Sequence, residues 1–239
     1  MSKTIFITGG AIRIGKEICK KFHKEGFNII CHYNSSIDSS DKLSNELNNI
    51  KKGSCKTIKF DLNDISEYPL FIKEVLRFYG SIDVLVNNAS AFFSTPLDNL
   101  DDKDWDSLHN SNLRGPLLIS SLLKDSIGKN RGSIINITDA MVVRGMKNYS
   151  IYSTAKGGLE TLTKSLARDL APKITVNGVA PGAILLPSDG SSDEELLLSK
   201  IPLGKLGKEK DIASAVFYLT KNKYITGQIL RVDGGRSLS

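Results

Sequence analysis

Cysteine is scarce in this chain of 239 residues: Cys19, Cys31 and Cys55 are the three, odd in number and without paired spacing. That excludes a disulfide framework and leads to the expectation of a reducing, cytoplasmic setting. Histidine is as scarce. His23, His32 and His109 lack metal-ligand spacing, so no metal site is expected. Long hydrophobic runs are missing too. Lys3 leads directly into Thr4-Ile5-Phe6-Ile7, which is too short for an export signal or a membrane span. A dense basic block is also absent. The net charge is +6, but the lysines are scattered. A mildly basic surface of this kind suits anionic small molecules better than nucleic acid. There is no internal repeat, low-complexity tract or linker, so one domain over residues 1–239 is expected.

What is present is ordinary in bulk and specific in pattern. Hydrophobic residues make up 40% of the chain and charged residues 24%, enough to bury a core. Short β-rich runs recur at residues 4–7, 28–32, 57–60, 82–86, 133–137, 174–179 and 228–232. Most are continuously apolar, as strands buried on both faces of a parallel sheet must be. Helical patterns lie between them, for example at 14–25, 66–78, 104–123 and 153–170. This alternation predicts an α/β fold: a doubly wound parallel sheet of about seven strands with helices on both faces. A polar stretch at 183–200 breaks the rhythm after Pro181-Gly182 and is read as a substrate loop or lid.

The first βα turn is rich in glycine: Thr8-Gly9-Gly10-Ala11-Ile12-Arg13-Ile14-Gly15. Glycine lets the backbone turn tightly, and the helix that follows offers free N–H groups and partial positive charge to a pyrophosphate. At the end of the second strand, His32-Tyr33-Asn34-Ser35-Ser36 carries no carboxylate. An acidic residue there would hold a ribose 2′-hydroxyl and repel a 2′-phosphate, so its absence favours NADPH over NADH.

A third pattern carries reaction chemistry. Tyr152 and Lys156, four apart on a helix, share one face, and Asp139 lies thirteen residues upstream of the tyrosine. The lysine charge is expected to lower the phenol's pKa and make it a proton donor and acceptor.

Together these residues resemble the short-chain dehydrogenase/reductase family. The glycine turn resembles that family's T-G-x-x-x-G-x-G, with Arg13 in place of the middle glycine. Asp61, beside Leu62, resembles the residue contacting the adenine. Asn87-Asn88-Ala89 resembles N-N-A-G, with Ser90 replacing the glycine. Asn112 resembles the asparagine that supports the active-site lysine through water. The resemblance runs on to Asp233-Gly234-Gly235. It implies a Rossmann fold, with the dinucleotide-binding part at 1–140 and the catalytic helix and substrate loop at 141–239. It implies a cofactor site of Thr8, Gly9, Arg13, Ile14 and Gly15 at the first turn, and of His32, Tyr33, Asn34 and Ser35 at the second. Asp61, Leu62, Asn88, Ala89, Ser90, Tyr152, Lys156, Pro181 and Gly182 complete that site. The implied catalytic set is Asp139, Tyr152, Lys156 and Asn112. A homotetramer is implied as well, with helices 104–123 and 153–170 at its interfaces.

In the family the residue at Asp139 is usually a serine that hydrogen-bonds a substrate carbonyl. An ionised carboxylate would repel the negative charge that develops on a carbonyl oxygen. Hydride at carbon with a proton at nitrogen creates no oxyanion, so Asp139 favours C=N over C=O. Arg13, the run Asn88–Leu97 and Thr138-Asp139-Ala140-Met141 resemble the pteridine reductase subgroup. That resemblance implies a pterin or folate substrate held by Arg13, Ser90, Phe92, Asp139 and Tyr152, with Phe92 stacked on the ring. Two alternatives stand: a carbonyl reductase of the same family, such as a 3-oxoacyl-carrier-protein reductase, and a catalytically silent dinucleotide-binding scaffold.

Overall fold

Seven short runs of β-branched and aliphatic residues form the central sheet. In the computed structural model, which describes residues 2–184 and 194–239, they are β1 (Thr4–Ile7), β2 (Asn28–Tyr33), β3 (Cys55–Lys59), β4 (Val84–Asn87), β5 (Ser133–Ile137), β6 (Thr175–Pro181) and β7 (Ile229–Val232). Every pairing is parallel, in the order β3-β2-β1-β4-β5-β6-β7. The order reverses at β1, between β2 and β4. That reversal opens a crevice at the carboxyl ends of these strands, where doubly wound sheets bind ligands.

The pleat sends alternate residues to opposite layers. Ile5 and Ile7 of β1 pack with Ile18 and Phe22 of α1 (Arg13–Lys24), Leu43 and Leu47 of α2 (Ile37–Ile50), and Val216 of a later helix, Glu209–Lys221. Phe6, between them, packs on the other face. Its neighbours there include Phe71 of α3 (Tyr68–Tyr79), Ile119 of the helix Gly115–Lys129 and Leu166 of the helix Ser150–Asp169. Full burial of a side chain such as Phe22 contributes roughly 2 kcal/mol. The expected α/β architecture with helices on both faces is the observed one.

The element limits differ from the sequence reading for physical reasons. β3 begins at Cys55, ahead of the expected Thr57, because the ladder with β2 runs from Ile29↔Cys55 to Tyr33↔Lys59. β4 extends to the polar Asn87, whose amide donates to Asn136 Oδ1 at 2.8 Å. The helix expected at 104–123 is three pieces: α4 (Asp102–His109), a wider π turn at Asn110–Arg114, and α5 (Gly115–Lys129). α2 was not among the helices read from the sequence, because only Ser40, Leu43 and Leu47 of its polar run are buried. α6 (Ser150–Asp169) carries Tyr152 and Lys156.

Within 183–200, residues 185–193 lie outside the described residues, so the expected lid is described only at its ends. Its carboxyl end forms a short helix, α7 (Glu194–Ser199), ahead of α8 (Glu209–Lys221). Trp105, Leu117 and Leu122 are exposed on the expected interface helix. Among the described residues no helix is long and apolar enough to cross a membrane.

Candidate active site

The glycine turn closes against the loop after β4. Gly9 has φ +61°, and a Cβ there would come within 2.9 Å of Ala89 Cα, so only glycine fits. Thr8 Oγ1 accepts the backbone N–H groups of Asn88 and Ala89 at 2.9 and 3.0 Å. Asn88 Nδ2 donates in return to the carbonyls of Thr8 and Gly9 at 3.0 and 2.9 Å. His32 braces the turn from below. Its Nδ1 accepts the Gly9 N–H at 3.0 Å, so Nε2 carries the hydrogen and donates to the Phe60 carbonyl at 2.9 Å. Burial pushes His32 down to about 4, against the opposing pull of Phe60 and Asp61. A neutral imidazole is therefore built into the turn.

Above this brace, the first turn of α1 stands open. No side chain caps it, and it holds no acidic residue. Arg13, its first residue, has φ +48°, in the left-handed region that a glycine enters without strain. The sequence departure at Arg13 therefore coincides with a backbone departure. Its guanidinium has no ion pair among the described residues.

One cavity of about 810 Å³ runs along the carboxyl ends of the strands. At one end it is lined by Gly9, Arg13, Ile14 and Gly15, then by His32, Tyr33, Asn34 and Ser35. Asp61, Leu62, Asn88, Ala89 and Ser90 continue the wall. Asp61 Oδ1 is already engaged by Asn63, accepting its N–H at 2.9 Å. At the other end stand Phe92, Asp139, Tyr152, Lys156, Pro181 and Gly182. Thr8 and Asn112, expected in the site, do not line it: Thr8 is spent on clamping two turns, and Asn112 is fully buried behind Ser90.

At the reacting end, the Tyr152 phenol donates to Asp139 Oδ2 at 2.9 Å. Asp139 Oδ1 accepts the Met141 N–H at 2.8 Å, which fixes the carboxylate at the start of a short 3₁₀ turn. Lys156 Nζ donates to the Ile137 carbonyl at 2.8 Å and sits 5.9 Å from the centre of the Tyr152 ring. The expected lowering of the tyrosine pKa by Lys156 is not what this environment produces. Burial, then the Asp139 charge and hydrogen bond, push Tyr152 well above its ordinary range, with only a Ser90 hydrogen bond opposing them. Burial also brings Lys156 down to about 8, partly offset by Asp139. The carboxylate, nearer than the lysine, dominates, and the phenol keeps its proton.

Phe92 presents a planar apolar surface beside this pair. It is 56% exposed. Tyr149 stacks on it at 4.8 Å and 13°, and Tyr152 meets it edge-on at 4.8 Å and 79°. Sequence reasoning missed Met146, Leu197 and Arg236, which also line the cavity. Arg236 directly follows Asp233-Gly234-Gly235, a position that could have flagged it. Met146 and Leu197 carry no local signal, because tertiary packing alone brings them to the wall.

A glycine turn under an open helix start and a Tyr-x-x-x-Lys helix, joined in one cavity on a seven-stranded parallel sheet, define a dinucleotide-type α/β oxidoreductase. A family model described as enoyl-(acyl carrier protein) reductase matches residues 10–237, and the chain belongs to the short-chain dehydrogenase/reductase family. The chain is similar to a 3-oxoacyl-(acyl-carrier-protein) reductase of Staphylococcus aureus, 36% identical over 98% of each protein. A reductase of the same name from Thermotoga maritima is 33% identical over 98% of this chain and 97% of its own length. Pteridine reductase 1 of Leishmania tarentolae is 32% identical over 98% and 96%.

Proposed function

We propose that this oxidoreductase uses NADPH to reduce a C=N bond in a planar nitrogen heterocycle of the pterin or folate class. The observation that carries the reading is the Asp139 carboxylate hydrogen-bonded to the Tyr152 phenol at 2.9 Å. A carboxylate accepts from ring N–H donors and repels a developing alkoxide, so it suits a substrate protonated at nitrogen. Phe92 offers the half-exposed ring on which a flat heterocycle stacks.

The uncapped start of α1 and the carboxylate-free end of β2 fit the pyrophosphate and the 2′-phosphate of NADPH. Bound there, the nicotinamide supplies hydride. The chain's own residues do the rest. Lys156 holds a ribose hydroxyl, Phe92 orients the substrate, and Tyr152, kept protonated by burial and Asp139, delivers a proton to nitrogen. A homotetramer is part of the reading, its contacts formed by α4 and α5, with their exposed Trp105, Leu117 and Leu122, and by α6.

A second reading, reduction of a 3-oxoacyl thioester, is favoured by a specific observation. The relatives named 3-oxoacyl-(acyl-carrier-protein) reductase are the more identical, at 36% against 32%. In that reading Tyr152 delivers its proton to the carbonyl oxygen, with Asp139 fixing the phenol through their hydrogen bond. NADPH oxidation by the purified protein separates the two, assayed with dihydrobiopterin, dihydrofolate and acetoacetyl thioester in parallel. Pterin-dependent oxidation supports the first reading. Efficient thioester reduction with no pterin activity overturns it and leaves the second.

A further inference from the structure

Most of the charge on the cavity wall is already partnered within the protein. Asp61 accepts from Asn63, and Lys156 donates to the Ile137 carbonyl. Asp139 gives one oxygen to the Met141 N–H and the other to the Tyr152 phenol. Two cations on the wall remain, Arg13 and Arg236. Neither guanidinium makes an ion pair among the described residues. Arg13 stands at the open start of α1, where the phosphates of a dinucleotide fit. Arg236 belongs to a different part of the chain and has no such assignment.

The backbone fixes where Arg236 stands. Gly234 and Gly235, with φ +64° and +87°, turn the chain after β7. The Asp233 carboxylate clasps that turn, accepting the N–H groups of Gly235 at 2.9 Å and Ser237 at 2.8 Å. Arg236 is therefore held as the first residue of a short 3₁₀ turn, Arg236–Leu238. This turn packs against the 3₁₀ turn Ala140–Val143, which begins directly after Asp139. Met141 of that turn, Met146 and Leu197 are on the same cavity wall, and none of them offers an anion. Asp139 is the carboxylate closest in the chain to this turn, and it makes no ion pair with Arg236.

We infer that Arg236 determines specificity by binding an oxyanion, a carboxylate or a phosphate, on the part of the substrate remote from the bond that is reduced. A guanidinium keeps its charge at every pH the fold survives, and its planar fork of donors matches both groups. The reduced bond itself gives Arg236 nothing to hold, because Tyr152 neutralises the atom there with its proton. The inference rests on the proposed reading of the cavity as a reductase site and names the other half of the substrate. For a pterin ring it selects one with an acidic side arm over one with a neutral arm. For an acyl thioester it selects a phosphorylated pantetheine arm over the bare one.

The test is isothermal titration of the protein saturated with oxidised nicotinamide dinucleotide phosphate. The probes are matched pairs that differ only in charge: dihydrofolate against its uncharged diamide, and acetoacetyl-4′-phosphopantetheine against acetoacetyl-pantetheine. In one pair the charged member should bind on the order of tenfold tighter. Arg236→Gln should bring it down to the affinity of its neutral partner, and Arg236→Lys should keep part of the advantage. The pair that responds identifies the source of the anion. In turnover with that pair, Arg236→Gln should raise KM for the charged member more than it lowers kcat, because a remote anion is bound alike in ground and transition states. Equal affinities within both pairs overturn the inference. So does an equal loss for charged and neutral members, a parallel loss of NADPH affinity, or no binding of any probe. Pterin reduction indifferent to the arm's charge leaves the pterin reading standing and removes the inference. An Arg236-dependent preference for the phosphorylated thioester, with no pterin activity, does the reverse.

Discussion

The two ends of the cavity are built differently. The dinucleotide end is backbone held by backbone and by polar side chains: Thr8, Asn88 and His32 close three turns on one another with bonds of 2.9–3.0 Å. The reacting end is made of side chains, Phe92 and Asp139 on loops and Tyr152 and Lys156 on α6, with Phe92 half-exposed and Asp139 secured by one backbone N–H and one phenol. In the proposed reading the first end recognises what all dinucleotides share, a pyrophosphate, and backbone N–H groups suffice for that. The second must tell one reducible group from another, and only side-chain chemistry does so. The more identical relatives and the less identical one differ in the substrate their names state.

Tyr152→Phe should separate the two ends most sharply. It is expected to lower turnover about 10²–10⁴-fold while leaving NADPH affinity nearly unchanged. Near-normal turnover in stopped-flow or steady-state assays would break the comparison by moving proton delivery away from the phenol. Asp139→Ala should cost on the order of 10²-fold in pterin reduction, again without weakening the cofactor. Asp139→Ser is expected to raise activity toward a ketone, measured side by side with the pterin.

The dinucleotide end has its own signature in pH. His32 is held neutral, down at about 4 from an ordinary 6.5. The unfolded chain therefore binds this proton first as pH falls. Stability from His32 is complete above the unfolded value and is lost as pH drops through the folded one, by on the order of 3 kcal/mol. Denaturant melts of wild type and His32→Gln across that window should converge as pH falls, because the variant has no charge to gain. Parallel curves would show that the imidazole binds its proton alike in the folded and the unfolded chain.

Two smaller effects sharpen the same contrast. NADPH should bind about tenfold tighter than NADH, or roughly 1.4 kcal/mol, as read by fluorescence titration. Equal affinities would mean that the carboxylate-free turn after β2 does not sense the 2′-phosphate. Arg13→Gly should remove left-handed strain and raise stability by about 1 kcal/mol, while weakening cofactor or substrate binding. A variant that loses stability instead would show that the arginine packs better than its backbone angle suggests.

The strands and most of the cavity wall were legible in the chain alone. A parallel strand buried on both faces must be continuously apolar, and a backbone that approaches a phosphate must contain glycine. Such constraints act within a few residues, so Thr4–Ile7 with its glycine turn, and Tyr152 with Lys156, could be read locally. The identity of Asp139 was legible for the same reason. Its effect on Tyr152 was not, because spacing along α6 brings Lys156 to mind, whereas folding brings the carboxylate of another loop to 2.9 Å from the phenol. Helix α2 and the break at Asn110–Arg114 were hidden because tertiary contacts select them over the local pattern. Thr8, Asn112 and His32 were recognisable as polar residues at meaningful positions. Only the tertiary structure decided that Thr8 and Asn112 stand behind the cavity wall and that His32 braces the turn beneath it. A buried polar group's role is set by which unpaired donor or acceptor the fold brings against it.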